Sequence, residues 1–445
     1  MLFGKMEHST SDAAYKAAVE GFVITDREVP GFSPHGVRSL ERTFARMFGH
    51  YLHDVENSLD DLIPRHGSGA SAERLGANAR YSFTEWPERL HKEFPYWYFA
   101  AASPLQLQDM TLKSIPGNEE RPVRVVTVPK TMKAPRVIAV EPSYMQFMQQ
   151  GILRLMTDAL PRHPRVDETL GWTTQEPNRQ LALAGSTDGA WATIDLSEAS
   201  DRVSAQLVYH LLSRWPVLRR AIFACRSRRA QLPDGRIVRL RKFASMGSAL
   251  CFPIECMVFA AIAYSVVGAR TTRGVRYGPF DVRVFGDDII VPADQAERVC
   301  DALSLYGMRV NSTKSFWTGL FRESCGMDAY GGVEVTPVRV RRPLRANPSC
   351  VEEFLSQVAL QNQLFERGYW GAARYVESLI PEAHRVPPGT ELTGVWSSYG
   401  HKTRWNRQLQ RMEYREHRVV PVKRKDPITG YDALLKWFCV GSSDA

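Results

Sequence analysis

Two adjacent aspartates lie between two short apolar runs in the segment VRVFGDDIIVP, residues 282–292. Asp287 and Asp288 follow a glycine, a pattern typical of a β-hairpin whose tight turn exposes both carboxylates at its tip. Two like charges at such a turn repel each other unless a cation neutralises them. Oxygen ligands favour magnesium or manganese over zinc. The pair therefore indicates a site for a divalent metal ion, and a solvated turn is the alternative interpretation.

A metal ion bound at one hairpin needs a further carboxylate from another element. The segment WATIDLSEASDRVS places Asp195 at the end of a strand-like run. A helix is predicted to begin within the following SEAS, with Ser197 as its N-cap. Asp201 then lies in the first helical turn, where a carboxylate is favourable for the helix dipole whatever its function.

The composition of the whole chain limits the function classes. The 445 residues are 44% hydrophobic and 24% charged, which is ordinary for a globular protein with room for more than one domain. A net charge of +9 suits a polyanionic partner, either nucleic acid or an anionic membrane surface. The seven cysteines form no CxxC pair, so reduced thiols are expected. The apolar segment 246–268 contains Pro253 and Glu255, which favours a buried core helix over a membrane span. The first residues do not predict a secretory signal.

Five short motifs occur in the order of the palm motifs A to E of viral polymerases: DLSEASD, SMGSALCFPIE, FGDD, the lysine of RVNSTKSF, and FRESCG. On these motifs the sequence resembles the RNA-directed RNA polymerases of single-stranded RNA bacteriophages, the levivirus-type replicases. The resemblance implies an α+β fold, a right-handed polymerase of fingers, palm and thumb with an antiparallel palm sheet and a helical thumb. The implied domains are an N-terminal fingers region (1–120), fingers with a basic loop (121–190), the palm (191–335, with a basic insertion at about 214–241) and a basic, helical thumb and C-terminal region (336–445).

The resemblance implies replication of a positive-strand RNA genome by two-metal nucleotidyl transfer. Asp195 and Asp287 would hold two Mg²⁺ or Mn²⁺ ions, with Asp288 in support and Lys314 as a general acid toward pyrophosphate. An ourmia-like or narna-like eukaryotic viral polymerase is the closest alternative, and a reverse transcriptase would share the palm and the metals. A non-catalytic RNA-binding protein would explain the charge but not the carboxylates on two strands.

Residues that the resemblance implies for nucleotide binding lie in three motifs. The basic loop VPKTMKAPR resembles motif F, whose cations would meet the triphosphate. Many RNA polymerases carry Thr and Asn in motif B where this chain has Cys251 and Glu255. The acidic residues expected near the ribose 2′-hydroxyl are therefore Asp201 and Glu255. The complete set is Lys130, Lys133, Arg136, Asp201, Ser245, Gly247, Ser248 and Glu255.

Two basic zones are expected to contact RNA phosphates without sequence preference. One lies within 214–241 and the other follows motif E. The segment QEPNR ahead of motif A places Asn178 and Arg179 near the template or nucleotide path. The residues predicted to bind RNA are Arg226, Arg228, Arg229, Arg322, Arg339, Arg341 and Arg342.

The implied partners are RNA template and product and ribonucleoside triphosphates. By similarity, host translation elongation factors Tu and Ts and a ribosomal protein are further expected partners. No membrane association is predicted, and the expected location is the host cytoplasm.

Overall fold

The computed structural model describes residues 10–109, 112–129, 135–268, 278, 281–342, 344, 350–386, 393–395, 403–414, 416–420 and 426–441. The helices within these ranges are α1 (Asp12–Glu28), α2 (Pro34–Asn57), α3 (Glu88–Glu93), α4 (Tyr96–Phe99), α5 (Gln106–Asp109), α6 (Ser143–Ala159), α7 (Pro164–Leu170), α8 (Glu176–Asp188), α9 (Ala199–Arg202), α10 (Ala205–Leu211), α11 (Pro216–Ala224), α12 (Cys251–Val267), α13 (Ala296–Leu305), α14 (Val351–Glu366), α15 (Trp370–Ser378) and α16 (Gly430–Val440). The strands are β1 (Glu85–Pro87), β2 (Lys113–Ile115), β3 (Val123–Val128), β4 (Arg136–Val140), β5 (Trp191–Ser197), β6 (Arg229–Gln231), β7 (Ile237–Arg239), β8 (Arg283–Phe285), β9 (Asp288–Pro292), β10 (Arg309–Val310), β11 (Phe321–Ser324), β12 (Met327–Tyr330), β13 (Val333–Glu334), β14 (Thr403–Asn406) and β15 (Arg411–Tyr414).

The chain divides into two compact units. The larger unit comprises residues 19–127, 137–336 and 426–445, and the smaller comprises 1–18, 128–136 and 337–425. In the smaller unit, α14 and α15 pack through a small apolar cluster that includes Leu360, Leu364 and Val376.

A four-stranded sheet at the centre of the larger unit has the order β10-β5-β9-β8, and every neighbouring pair is antiparallel. Strand β9 is inaccessible along its middle, since Ile289, Ile290 and Val291 are all 0% exposed. A strand that is apolar on both faces must be covered on both faces, so the sheet is an interior element. The predicted α+β class and antiparallel sheet are confirmed.

Helix α12 supplies much of the core beside this sheet. Its residues are buried on nearly every side, including Glu255, and its main neighbours are α2 and α13. The predicted core helix in segment 246–268 is therefore confirmed. Within the described ranges, no helix has the length and apolar character that crossing a membrane requires.

The chain after Asp195 differs from the predicted strand-to-helix junction. Strand β5 continues to Ser197, because Ser197 pairs with Arg309 of β10 and stays in the sheet. A four-residue helix, α9, follows, and the longer α10 begins only after Ser204, whose hydroxyl accepts the Leu207 N–H at 3.5 Å. A helix does begin within SEAS, at Ala199, and Asp201 lies in its first turn as predicted. The predicted N-cap was wrong, because Ser197 stays in β5.

The larger unit also contains the parallel pair β1-β2 and two further sheets. The basic segment within 214–241 forms β6 and β7, which extend a sheet of order β4-β3-β6-β7. Phe22 and Val23 of α1 pack on this sheet. The third sheet, β11-β12-β13, contains the FRESCG stretch as an antiparallel hairpin.

Candidate active site

Two aspartates lie opposite each other on adjacent strands of the central sheet. Asp195 in β5 is the direct partner of Asp288 in β9. Side chains of directly opposed residues point to the same face, with Cβ atoms roughly 5 Å apart. Asp287 lies in the two-residue turn that the Phe285–Asp288 pair closes. The sequence predicted that both carboxylates of the hairpin are exposed at its tip, but only Asp287 is exposed, because Asp288 is already the first residue of a covered strand.

Gly286 makes this turn possible. Its φ of +60° lies in the left-handed region, which favours glycine. A Cβ at this position would come within 3.0 Å of the Phe252 ring on α12. The Gly286 N–H donates to Cys256 Sγ at 3.1 Å, so α12 holds the turn from behind.

The carboxylates form an incompletely neutralised group. Burial, together with repulsion from Asp287 and Asp195, raises the pKa of Asp288 to about 6. Burial also raises the pKa of Asp195, although Lys314 and Asn311 partly oppose this effect. Ser324 Oγ lies 3.3 Å from Asp288 Oδ1. An added cation would therefore stabilise the ionised forms of both residues.

The segment 311–316 supports Asp195 from the edge of β5. Asn311 Nδ2 donates to Asp195 Oδ2 at 2.8 Å, and Asp195 N donates to Ser315 Oγ at 3.0 Å. Lys314 Nζ lies 3.7 Å from Asp195 Oδ1 and 3.8 Å from Glu323 Oε1. Burial alone would lower the pKa of Lys314, but these two carboxylates outweigh it, and the net direction is upward. Lys314 is therefore protonated at neutral pH and lies against the aspartate.

The donor set fits a hard divalent cation. Asp195, Asp287 and Asp288 supply only oxygen ligands, the type that Mg²⁺ and Mn²⁺ prefer. The raised pKa values of two of them are the physical sign that a positive charge is favoured nearby. Within the described ranges, no three His, Cys, Asp or Glu side chains are already arranged around a metal position. Binding would require these side chains to turn toward a common point.

Asp201 and Glu255 lie on elements that border the same carboxylates. Burial, with repulsion from Asp287 and Asp201, raises the pKa of Glu255 well above its usual value. Burial therefore favours the protonated form of Glu255, which is the form that can donate a hydrogen bond. Asp201 Oδ1 lies 3.0 Å from Nζ of Lys242, a side chain with no solvent exposure. The Lys242 ammonium also lies 3.3 Å from the ring centroid of Phe22.

The loop before α12 is held in place by strand β4 and helix α6. Met246 O accepts the Ala139 N–H at 2.8 Å, and Gly247 has a φ of +133°. A Cβ at Gly247 would collide with the Ala139 carbonyl, so only glycine fits. Gln149 Oε1 accepts from Ser248 Oγ at 3.1 Å and from Ala249 N at 3.2 Å. Ser245 Oγ is buried without a partner among the described residues.

The basic residues that were predicted to bind RNA differ in their exposure and in their hydrogen bonds. Arg322 is fully buried, so the prediction that it contacts RNA was wrong. Its guanidinium donates to backbone carbonyls of four residues: Gly189, Trp191, Gly319 and Phe321. The guanidinium of Arg226 is likewise occupied, by carbonyls of three residues: Leu240, Lys242 and Phe243. Arg229 donates to the Glu120 carbonyl. Arg226 therefore connects backbone segments, a correction to the predicted RNA contact. Arg229 is partly exposed, and its RNA contact stays a prediction.

Other predicted residues lie in different surroundings. Asn178, predicted near the template path, is fully buried and accepts from Arg283 Nε at 2.8 Å, which corrects that prediction. Arg228 is exposed, as are Arg136 of β4 and Arg341 of the smaller unit. In that unit, Arg339 is partly exposed and Arg342 Nη1 lies 2.9 Å from Glu352 Oε2. Lys130 and Lys133 lie outside the described residues.

Sequence reasoning missed four residues that position this site. Asn311 holds Asp195, Ser324 contacts Asp288, Gln149 holds the loop before α12, and Lys242 holds Asp201. Asn311 and Ser324 lie within quoted motifs, close to the residues that were chosen. The sequence around Gln149 and Lys242 does not predict their contacts, because the partner of each lies on a separate element.

Comparisons with known proteins were made on sequence and on structure. The family model described as RNA replicase, beta-chain, matches residues 107–357, more than half of the chain. The chain is 38% identical over 235 residues to the RNA-directed RNA polymerase subunit beta of Qbeta virus (strain MX1), covering 53% of this chain and 38% of that protein. It is 37% identical over 220 residues to the RNA-directed RNA polymerase beta chain of Escherichia phage MS2, covering 49% of this chain and 38% of that one. These matches therefore span less than half the length of either relative. A solved insertion-loop deletion mutant of the RNA-dependent RNA polymerase of a human picorbirnavirus aligns with a TM-score of 0.44 at 12% identity, over 79% of this chain and 84% of that chain.

Proposed function

The chain belongs to the RNA replicase beta-chain family, and on that premise we propose that it is an RNA-directed RNA polymerase that replicates a positive-strand RNA phage genome. The observation that carries the proposal is the pairing of Asp195 with Asp288 beside Asp287 in the turn. Carboxylates from two strands that face one point are what nucleotidyl transfer requires. The relatives named for phages favour a phage polymerase over the ourmia-like and narna-like alternatives.

The proposed reaction joins a ribonucleotide to the 3′ end of RNA. The 3′-oxygen attacks the α-phosphorus of a ribonucleoside triphosphate and loses its proton, while the bond to pyrophosphate breaks. Two divalent ions, Mg²⁺ or Mn²⁺, would neutralise charge on the attacking and leaving oxygens when bound. Asp195 and Asp287 would hold these ions and Asp288 would support them. Asp195 and Asp288 are only partly exposed, and a bound cation would offset the cost of ionising them there.

Lys314 has a proposed role at the leaving group. Its ammonium is shared between Asp195 and Glu323 in this structure. A cation on Asp195 would compete with that contact and free Lys314 to face the pyrophosphate, where it could donate a proton. Arg136, with Lys130 and Lys133, would neutralise the triphosphate.

Recognition of the ribose is proposed to combine one acceptor with one donor. The Asp201 carboxylate would accept, and the protonated form of Glu255, which burial favours, would donate. Ser245 Oγ is a buried hydroxyl without a partner among the described residues and is available to the same nucleotide. The loop at Gly247, which packs closely against β4, and Ser248, which Gln149 holds, would contact the base or ribose.

The wider assignments follow from the proposed activity. The central sheet would be the palm of a right-handed polymerase, with fingers at 1–120 and 121–190 and a thumb from 336. The names of relatives include the word subunit, which supports the participation of further chains. The elongation factors Tu and Ts and a ribosomal protein are the proposed partners, in the host cytoplasm.

An extension assay tests this function. The purified chain would be incubated with Mg²⁺, a labelled RNA primer annealed to an RNA template, and ribonucleotides. We expect template-directed addition of ribonucleotides. Addition only of deoxyribonucleotides would favour a reverse transcriptase, and RNA binding without addition, with or without the proposed host proteins, would favour a binding protein.

A further inference from the structure

Three cavities follow one another along the basic segment of the larger unit. The first, about 480 Å³, is lined by residues of α1 and β7, including Arg239 and Arg241. The second, about 430 Å³, shares Arg239 and Arg241 with the first and adds Arg228. The third, about 310 Å³, shares Arg228 with the second. Neighbouring cavities share lining residues, and the three together are called the groove.

The middle of this groove is strongly positive. Four arginines and no acidic residue line the second cavity. Arg226 there is engaged by backbone carbonyls, but the side chains of Arg228 and Arg239 are exposed and make no ion pair or hydrogen bond with another described residue. Burial lowers the pKa of Arg228, the positive charges of Arg89 and Arg239 add to that effect, and Glu120 partly opposes it. Arginines that outnumber the carboxylates beside them favour an anionic ligand.

An aromatic ring lies at the end of the groove. Tyr209 is 44% exposed, and the Arg219 guanidinium carbon lies 4.2 Å from its ring centroid. Phe223 packs edge-on against Tyr209 at 5.3 Å, which fixes the ring orientation. Both aromatic residues and Arg219 line the third cavity, where Arg219 Nε is buried without a partner among the described residues. A fixed, exposed ring backed by a cation is a surface on which a nucleic-acid base can stack.

We propose that this groove binds one single strand of RNA, with phosphates on Arg228 and Arg239 and a base against Tyr209. The inference rests on the proposed function, since it takes RNA as the substrate, and it defines a binding site apart from the aspartate cluster. The combination selects a single strand because phosphate contacts alone would accept a duplex, whereas a stacking ring needs an unpaired base. An anionic membrane would satisfy the arginines but would leave the stacking geometry of Tyr209 without a role.

Binding of a labelled single-stranded oligoribonucleotide across a salt series tests the groove in the 445-residue chain. The double variant Arg228→Gln with Arg239→Gln should bind more weakly, and its salt slope should fall by about 1.4, since each phosphate contact to a single strand contributes about 0.7. Tyr209→Leu should weaken single-stranded binding about tenfold without changing the slope. The matched control is Arg236→Gln, an exposed arginine at the tip of the same hairpin that is paired with Asp234 and Glu20.

Each outcome decides whether the groove binds single-stranded RNA. An unchanged slope in the double variant, or an equal change in the control, would overturn the proposal. Equal weakening for single-stranded and duplex RNA would also overturn it, and loss of binding to anionic vesicles alone would assign the groove to a membrane. Primer extension separates this from the proposed activity: weaker binding by the double variant in a chain that extends no primer supports the groove and refutes the polymerase. Normal primer extension by the double variant, with unchanged RNA binding, would support the polymerase and refute the groove.

Discussion

Replacing Asp201 by Asn leaves the Lys242 ammonium without its ion-pair partner in a place that water does not reach. The Lys242 side chain is 0% exposed and that of Asp201 is 19% exposed, with 3.0 Å between Nζ and Oδ1. Removal of one partner from a buried pair costs about 3–5 kcal/mol. The contact with the Phe22 ring is present before and after the replacement, so it does not offset this loss. We therefore expect Asp201→Asn to lower the free energy of unfolding by about 3–5 kcal/mol.

Replacing the other partner of the ion pair, Lys242, should destabilise the fold less. Lys242→Met removes the buried charge itself, keeps most of the side-chain volume, and leaves Asp201 with some access to water, so a loss of about 1 kcal/mol is expected. The double variant should be more stable than Asp201→Asn alone. Urea denaturation of the three variants measures this. The reasoning is refuted if Asp201→Asn is no more damaging than Lys242→Met, or if the double variant recovers nothing.

The same pair of residues allows a test of sugar selection. A site that hydrogen-bonds the 2′-hydroxyl rejects a sugar without it, because buried polar groups are then left unpaired. Asp201→Ala should reduce the preference for ribonucleotides over deoxyribonucleotides more than it reduces the rate with ribonucleotides. Single-nucleotide incorporation with each type measures the ratio. Equal losses would mean that Asp201 only balances Lys242 and that the ribose is recognised elsewhere.

Three further substitutions test the surroundings of the site. The pKa of Asp288 is about 6 in the folded chain and about 3.9 when unfolded, so the folded state binds more protons between these values and loses stability as pH rises through them. Without divalent metal, Asp288→Asn should therefore be about 3 kcal/mol more stable than wild type at pH 8 and less than about 1 kcal/mol more stable at pH 4, as thermal melting would show. An equal gain at both pH values would contradict this. Gly247→Ala should abolish nucleotide addition, because the new Cβ meets the Ala139 carbonyl; normal addition would show that the loop can move. Gln149→Leu should raise KM for nucleotides several-fold by releasing Ser248, and an unchanged KM in steady-state kinetics would remove Gln149 from this role.

The aspartate pair illustrates how far a sequence alone can predict such a site. The alternation of apolar residues around Gly286 and Asp287 is local information, so the hairpin was predicted correctly. The neighbouring Asp195 could also be placed on a strand, and its strand pairs with that hairpin. Which carboxylate is exposed was not predictable, because coverage of Asp288 depends on residues distant in the chain.

The errors have a common physical cause. Ser197 has a good capping side chain, but pairing with Arg309 keeps it in the sheet, and a local pattern cannot report that competition. Arg322 and Arg226 were assigned to RNA because arginine is usually exposed. Both instead satisfy backbone carbonyls from other segments, a role that depends entirely on the tertiary structure. Lys242 was not selected at all, since nothing in its local sequence shows that Asp201 lies within reach.

Single-turnover primer extension by the Asp287→Asn variant, with RNA affinity measured on the same preparation, tests the central claim most directly. Asp287 is exposed in a turn, so its replacement should leave the fold and the binding of RNA intact. The account predicts loss of nucleotide addition by about a thousandfold or more in Mg²⁺ with unchanged RNA affinity, since a lost metal ligand removes several kcal/mol of transition-state stabilisation. Near-normal extension by this variant in Mg²⁺ would contradict the assignment of the aspartate cluster as the catalytic centre.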